Sequence, residues 1–277
     1  MRTVSGSFDI FKARWTGFFG RSAPNLALRA TVMFVGLSCI ALGISLAKLA
    51  CIGTSPISSL PAVMTEVGQL HGIPMTMGGW TFVFNLSYFL LEAALLRSRL
   101  APVQLLQMPL FLVLSVMVDV WIASFEAAAP QGYAQQVAWL LASVLVLGFG
   151  IRVQLASDLL MTPGDAAVQV ISYVSGRRFS SCKVAWDVTL MSLAALSSLV
   201  LLGGLFQVRE GTILSAILVG PAVRLFDRAL RPFDWMIPAG TRTLVPPLCP
   251  EATVPNSSGF KEASVFDGAV TERMPNS

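Results

Sequence analysis

The side chains that could do chemistry are few, and they sit inside apolar sequence. Asn85, Asp119, Asp158 and Asp187 fall in or at the ends of long hydrophobic stretches, and Ser55, Ser58, Thr162 and Asp165 gather around two hydroxyl-proline steps, Ser55-Pro56 and Thr162-Pro163. A charge at the centre of a bilayer costs at least about 2.5–3.5 kcal/mol, so an acid in such a stretch faces the bundle interior or the water boundary. A hydroxyl residue before proline suits a helix start: the side chain caps, and proline takes the first helical position, where its missing N–H costs nothing. Asp165, three residues after Thr162, resembles the acid of a capping box.

Two chemistries follow from these steps. Either Pro56 and Pro163 begin two well-capped short helices, or the free N–H groups and positive dipole ends there receive an anionic group inside the membrane. The Asp165 carboxylate already satisfies its own dipole and would repel an anion. A cation, a proton or a neutral polar solute therefore suits the second step better. Lys183 and Asp187 are four apart and form a local ion pair on one helix face. Asp119 lies among Val118, Val120 and Trp121 with no cation nearby, which calls for a partner on another helix or a solvated pocket.

Signatures of soluble enzymes are absent. The one histidine, His71, supports neither a His-based triad nor an HExxH zinc site, and there is no CxxC pair, Walker A loop or GxGxxG. The reading is that the chain is not an enzyme and binds no cofactor or metal. Cys39 and Cys51 sit in or beside the first apolar stretch, and Cys182 and Cys249 fall in stretches expected to be cytoplasmic, where thiols stay reduced.

What must position these residues is a set of membrane helices. The chain is 55% hydrophobic and only 12% charged, with a mean hydropathy of +0.71, far from soluble-domain values. Stretches near 29–51, 79–96, 103–124, 137–161, 184–204 and 211–228 approach or meet the roughly 20 apolar residues a spanning helix needs. The expectation is an all-α, polytopic membrane protein with about six transmembrane helices. The first stretch follows Arg14, Arg21 and Arg29 and reads as a retained anchor rather than a cleaved signal. Segments 56–70 and 163–176 have room for about 12 helical residues, roughly 18 Å, too short for a hydrocarbon core near 30 Å. They are read as non-spanning helices that lie on the membrane or dip into it.

The chain also compares with itself. Gly43-Ile44 and Pro56 match Gly150-Ile151 and Pro163 at one offset, since 150 − 43 and 163 − 56 are both 107. Asn85 then corresponds to Asp187, Gln107 to Thr212 and Asp119 to Arg224 after a shorter connection. Each half reads as long, short, long, long; three crossings per half is odd, so the halves enter from opposite sides as inverted three-helix repeats. The charges agree. With the first residue inside, Arg2, Lys12, Arg14, Arg21, Arg29, Arg97, Arg99, Arg177, Arg178, Lys183, Arg228 and Arg231 are cytoplasmic, and Lys48 and Arg209 lie outside. The domains expected are a basic and aromatic leader over 1–26, membrane repeats over 27–130 and 131–235, and a disordered cytoplasmic tail over 236–277. The basic balance is thus topology, and no nucleic-acid partner is expected.

The runs GISLAKLACIGTSPISSLP (43–61), FNLSYFLLE (84–92), LLQMP (105–109), ASDLLMTPGDAAVQVIS (156–172), KVAWDVTL (183–190) and VREGTILSAILVGPAVR (208–224) resemble the YczE/YyaS/YitT group of bacterial membrane proteins. That resemblance implies location and architecture and no reaction. The leading functional expectation is a small-solute transporter or exporter of the bacterial inner membrane, both termini cytoplasmic, with a polar site between the repeats lined by Ser55, Ser58, Asn85, Asp119, Thr162, Asp165 and Asp187. Its partners would be the lipid bilayer and a small polar or cationic solute, with a homodimer as the candidate assembly. The alternative is a non-transporting membrane scaffold or accessory factor in which these residues only lock helices together.

Overall fold

A computed structural model describes residues 26–96, 102–157, 159–177 and 179–230. The expected leader up to residue 25, Asp158 and the expected tail lie outside them. Among the described residues all regular structure is helical: α1 (Leu26–Ala50), α2 (Pro56–Leu70), α3 (Met77–Leu96), α4 (Gln107–Phe125), α5 (Tyr133–Ser157), α6 (Pro163–Ser175), α7 (Phe179–Leu202) and α8 (Glu210–Leu230). A 3-10 turn, Pro102–Leu106, leads into α4.

Five of these helices, α1, α3, α4, α5 and α7, are long and apolar enough to cross a membrane. Their outward faces carry exposed Phe34, Leu90, Leu112, Leu145, Leu196 and Leu199, as lipid requires. The expected sixth, α8, is long enough at 21 residues but carries Arg224, Asp227 and Arg228 in its last turns, so it falls outside that group. The expected fourth span, 137–161, ends earlier, because α5 stops at Ser157 and residues 159–162 form a non-helical link into Pro163.

Apolar side chains gain little by leaving lipid for a neighbouring helix, so close backbone approach and interhelical hydrogen bonds decide which helices pair. The longest contact is α1 with α5. A Cβ on Gly36 would stand 2.6 Å from the Gln154 nitrogen, one on Gly150 2.7 Å from the Ile40 nitrogen, and one on Gly43 2.9 Å from Leu147 Cβ. Residue numbers rise along one helix as they fall along the other, so the pair is antiparallel. Each of Gly43 and Gly150 faces the residue three places before the other.

Around this pair the remaining helices are arranged in kind. α4 packs on α1 and α8 on α5; α2 packs on α7 and on α3, and α6 on α3 and on α7. The Ser45 hydroxyl lies 2.8 Å from the Ala41 carbonyl of its own turn and 3.0 Å from the Val118 carbonyl of α4. Gly148 meets Ala222, and Arg152 Nε lies 2.8 Å from Asp227 Oδ1, so α8 runs beside α5 in the same direction. α3 also packs along α4, without an equally close counterpart between α7 and α8.

The short helices lie inside the bundle. In α2, Pro56, Ser58, Ser59, Leu60, Ala62 and Val63 are all buried, and in α6 Ala166, Ala167, Val168 and Val170 are completely so. The link before α2 is pinned to the start of α8: Gly211 N–H donates to the Ile52 carbonyl at 2.9 Å and the Ser215 hydroxyl to the Thr54 carbonyl at 3.2 Å. Gly53, at φ 130° with a notional Cβ 2.4 Å from the Thr212 nitrogen, leaves room for no other residue.

Candidate functional site

The first turns of α2 and α6 meet. Ile57 and Gly164 are the second residues of the two short helices, and a Cβ on Gly164 would lie 2.1 Å from Ile57 Cδ1. Glycine at 164 is what permits the approach. Tyr88 of α3 reaches the same point, its ring 3.8 Å from that notional Cβ, and packs edge-on against Trp186 of α7 with centroids 5.5 Å apart. Tyr88 Oη and Trp186 Nε1 are buried without a hydrogen-bond partner among the described residues.

Beside this aromatic pair lies a three-residue charge cluster. Lys183 Nζ stands 2.9 Å from Asp165 Oδ1 and 3.2 Å from Asp187 Oδ1, and the Thr162 hydroxyl donates to Asp165 Oδ2 at 3.1 Å. The three charged side chains keep a quarter to a third of their surface exposed. Burial pushes the Asp165 carboxyl up, but the Lys183 ammonium, its hydrogen bond and that of Thr162 together outweigh it and hold the carboxyl below its ordinary range. With two carboxylates to one ammonium the cluster carries a net negative charge. It is suited to a cation or a hydrogen-bonding neutral group, not to an anion.

The structure sorts the remaining residues expected at the site. Ser55 occupies the N-cap position of α2 with Pro56 at the first helical position, but its hydroxyl caps no backbone N–H. It bonds instead to the Ser58 hydroxyl at 2.7 Å, because in the buried first turn the nearer partner is the side chain one turn on. Asn85 turns its amide back on its own helix, donating to the Thr81 carbonyl at 2.8 Å, and stands one turn before Tyr88. Asp119 is elsewhere: it accepts from the Thr76 hydroxyl and the Gly78 N–H, both at 2.7 Å, and so caps the start of α3. The structure thus joins Thr162, Asp165 and Asp187 through Lys183, joins Ser55 to Ser58, and leaves Asp119 as the cross-helix cap of α3.

Sequence reasoning passed over several residues. Tyr88 and Trp186 were not among the residues it singled out. Lys183 looked local to Asp187, whereas it also reaches across to α6. A second polar cluster ties α1, α2 and the link before α8 together, with Glu66 Oε1 receiving Lys48 Nζ and, at 3.3 Å, Gln207 Nε2. On α3 the buried polar positions Thr81, Asn85, Tyr88 and Glu92 share one face. That spacing of four, three and four was readable in the sequence.

Residues 27–228 match the model of a family described as a family of unknown function, DUF6198. The chain belongs to that family. The match covers all eight helices except the first residue of α1 and the last two of α8, so both short helices and the charge cluster are parts of the DUF6198 region. No curated protein and no solved structure matches this DUF6198 chain.

Proposed function

We propose that this DUF6198 protein is a transporter or exporter of a small polar or cationic solute, and that its site lies where the first turns of α2 and α6 meet beside Asp165, Lys183 and Asp187. The observation that carries the reading is the contact of Ile57 with Gly164 next to a charge cluster of net negative sign. Two non-spanning helices that point their starts at each other inside a bundle are an arrangement by which secondary transporters build a binding site. Inverted three-helix repeats, 27–130 and 131–235, account for the paired contacts: α1 with α5 across an antiparallel crossing, α1 on α4 as α5 on α8, and α2 on α7 as α6 on α3. In the repeat register Ser58, Thr81 and Asn85 correspond to Asp165, Lys183 and Asp187, one half neutral and the other charged.

In this reading α8 is a sixth crossing. It runs beside α5, and its charged last turns, with Asp227 paired to Arg152, emerge into water. Six crossings and the arginine distribution put both termini in the cytoplasm of a bacterium, consistent with the resemblance to the YczE/YyaS/YitT group. Ile57 then closes the site, and alternating rocking of the halves about the α1–α5 contact opens it to each side in turn. The chain on this view does no covalent chemistry, and a homodimer is the assembly to look for.

Flux tests the proposal. Full-length protein in proteoliposomes is assayed with alkali and ammonium cations and with neutral polar solutes, and Asp165→Asn and Asp187→Asn are each expected to abolish uptake while remaining folded. Unchanged flux, or collapse of the fold in both variants, would favour a scaffold. Single cysteines at 72 and 129 are expected to react with an impermeant label from outside and one at 176 only from inside; reversal at any position removes the inverted arrangement.

A further inference from the structure

Glu92 takes no part in that site, yet it is the most deeply buried acid among the described residues. It lies on α3 within the candidate span Met77–Leu96 and is 0% exposed. Its Oε1 accepts a 2.7 Å hydrogen bond from Gln104 Nε2, carried on the 3-10 turn before α4. Gln107, the first residue of α4 and 2% exposed, turns its amide N–H toward the same carboxyl. Among the described residues Glu92 Oε2 and Gln107 Oε1 have no hydrogen-bond partner. None of the ion pairs among the described residues involves Glu92.

The hydrogen-bond inventory of this group is short of donors. An ionised carboxyl only accepts, and the oxygen of a glutamine amide only accepts. Two buried acceptors on side chains already in contact are left without a donor. A proton on Oε2 turns that undonated acceptor into an O–H donor and removes the buried charge. Without that proton a full charge stands in a spanning helix with only amides as partners among the described residues, which lipid and low-dielectric surroundings disfavour.

The charged and titratable groups on the packed elements are accounted for elsewhere. Asp119 of α4 caps the far end of α3, Glu66 of α2 holds Lys48, and Asp165 of α6 is bound to Lys183. Tyr88 stands one turn away on α3 itself, and Arg97 and Arg99, next in sequence, lie outside the described residues.

We propose that Glu92 is a proton-binding site: its buried carboxyl takes a proton from water, holds it within the α3–α4 contact and returns it to water. The inference concerns protonation alone and stands whether or not the chain moves a solute. Where it does, Thr81, Asn85 and Tyr88 on the same buried face connect this proton to the meeting point of α2 and α6.

Infrared difference spectra of the full-length protein in liposomes, taken across a pH titration, test it. A carbonyl band of a protonated carboxyl is expected at neutral pH, bleaching reversibly in alkali, lost in Glu92→Gln and retained in Asp119→Asn. No such band in the wild-type protein, a band that Glu92→Gln leaves in place, or one that never bleaches would overturn the proposal. If Glu92→Gln does not accumulate folded, Glu92→Asp serves: the band must change frequency, and an unchanged band is equally fatal.

Discussion

Replacing Lys183 by methionine is the sharpest test of the charge cluster. Both carboxylate oxygens lie about 3 Å from Nζ, so they stand no more than roughly 6 Å apart, where two like charges at an effective dielectric near 20 repel by about 3 kcal/mol. Partial exposure screens that repulsion, and the lost attraction of a half-buried pair adds to it; the cost is placed between that of an exposed pair, about 1 kcal/mol, and that of a fully buried one, about 3–5 kcal/mol. Lys183→Met is therefore expected to lose about 2–3 kcal/mol, or roughly 5–10 °C in apparent Tm for a chain of this size. Asp187→Asn removes the repulsion along with one pairing and is expected to cost less than about 1 kcal/mol. The triple variant Asp165→Asn, Lys183→Met, Asp187→Asn should recover most of the loss of Lys183→Met, because interacting groups are not additive. Unfolding followed by tryptophan fluorescence, with Trp186 beside the cluster, reads all three. Equal losses for Lys183→Met and Asp187→Asn, or no recovery in the triple variant, would show that the three groups are not coupled.

Acid should remove the Asp165 contribution: its folded value is depressed, so the stabilisation is present above the unfolded value near 3.9 and is lost as pH falls through the lower folded value. The Tm advantage of the wild type over Asp165→Asn is thus expected to be flat near neutrality and to vanish in strong acid; an advantage that grows on acidification would contradict the pairing. Gly43→Ala and Gly150→Ala each drive a methyl into the α1–α5 contact and are expected to cost about 1–3 kcal/mol, whereas Gly220→Ala, with nothing within 4 Å, should be neutral or stabilising by up to about 1 kcal/mol; thermal unfolding of the three variants separates them. Asp119→Ala removes the cap from α3 and is expected to cost about 1–2 kcal/mol, while Asp119→Asn, whose one amide oxygen can still accept from the Gly78 N–H, should cost less. Flux in Asp119→Asn should match the wild type, and its loss would return Asp119 to the solute site.

The helices were legible because lipid acts on each one separately. A spanning segment must satisfy its own backbone and present apolar side chains whatever its neighbours are, so length and hydropathy suffice for α1, α3, α4, α5 and α7, and the shortness of α2 and α6 follows from the same measure. The limit showed at α8, where length points to a crossing but Arg224, Asp227 and Arg228 do not. Its course beside α5 gives one of those charges, Asp227, a partner in Arg152.

The roles of the acids were not legible. In sequence Asp119 is an acid without a cation nearby, Asp187 has Lys183 four residues before it, and nothing singles out Glu92. Where two helices cross settles which polar groups meet, and that depends on glycines such as Gly36, Gly150 and Gly164 admitting a backbone or side chain from far along the chain. So the sequence by itself determined a helical membrane chain with two short helices beginning at Pro56 and Pro163. The tertiary structure alone decided that those helices meet at Ile57 and Gly164, that Lys183 bridges Asp165 and Asp187, that Asp119 caps α3, and that Glu92 is buried between two glutamines. Hydropathy is a property of each residue in its solvent, whereas a hydrogen bond or an ion pair is a property of two residues brought within about 3 Å.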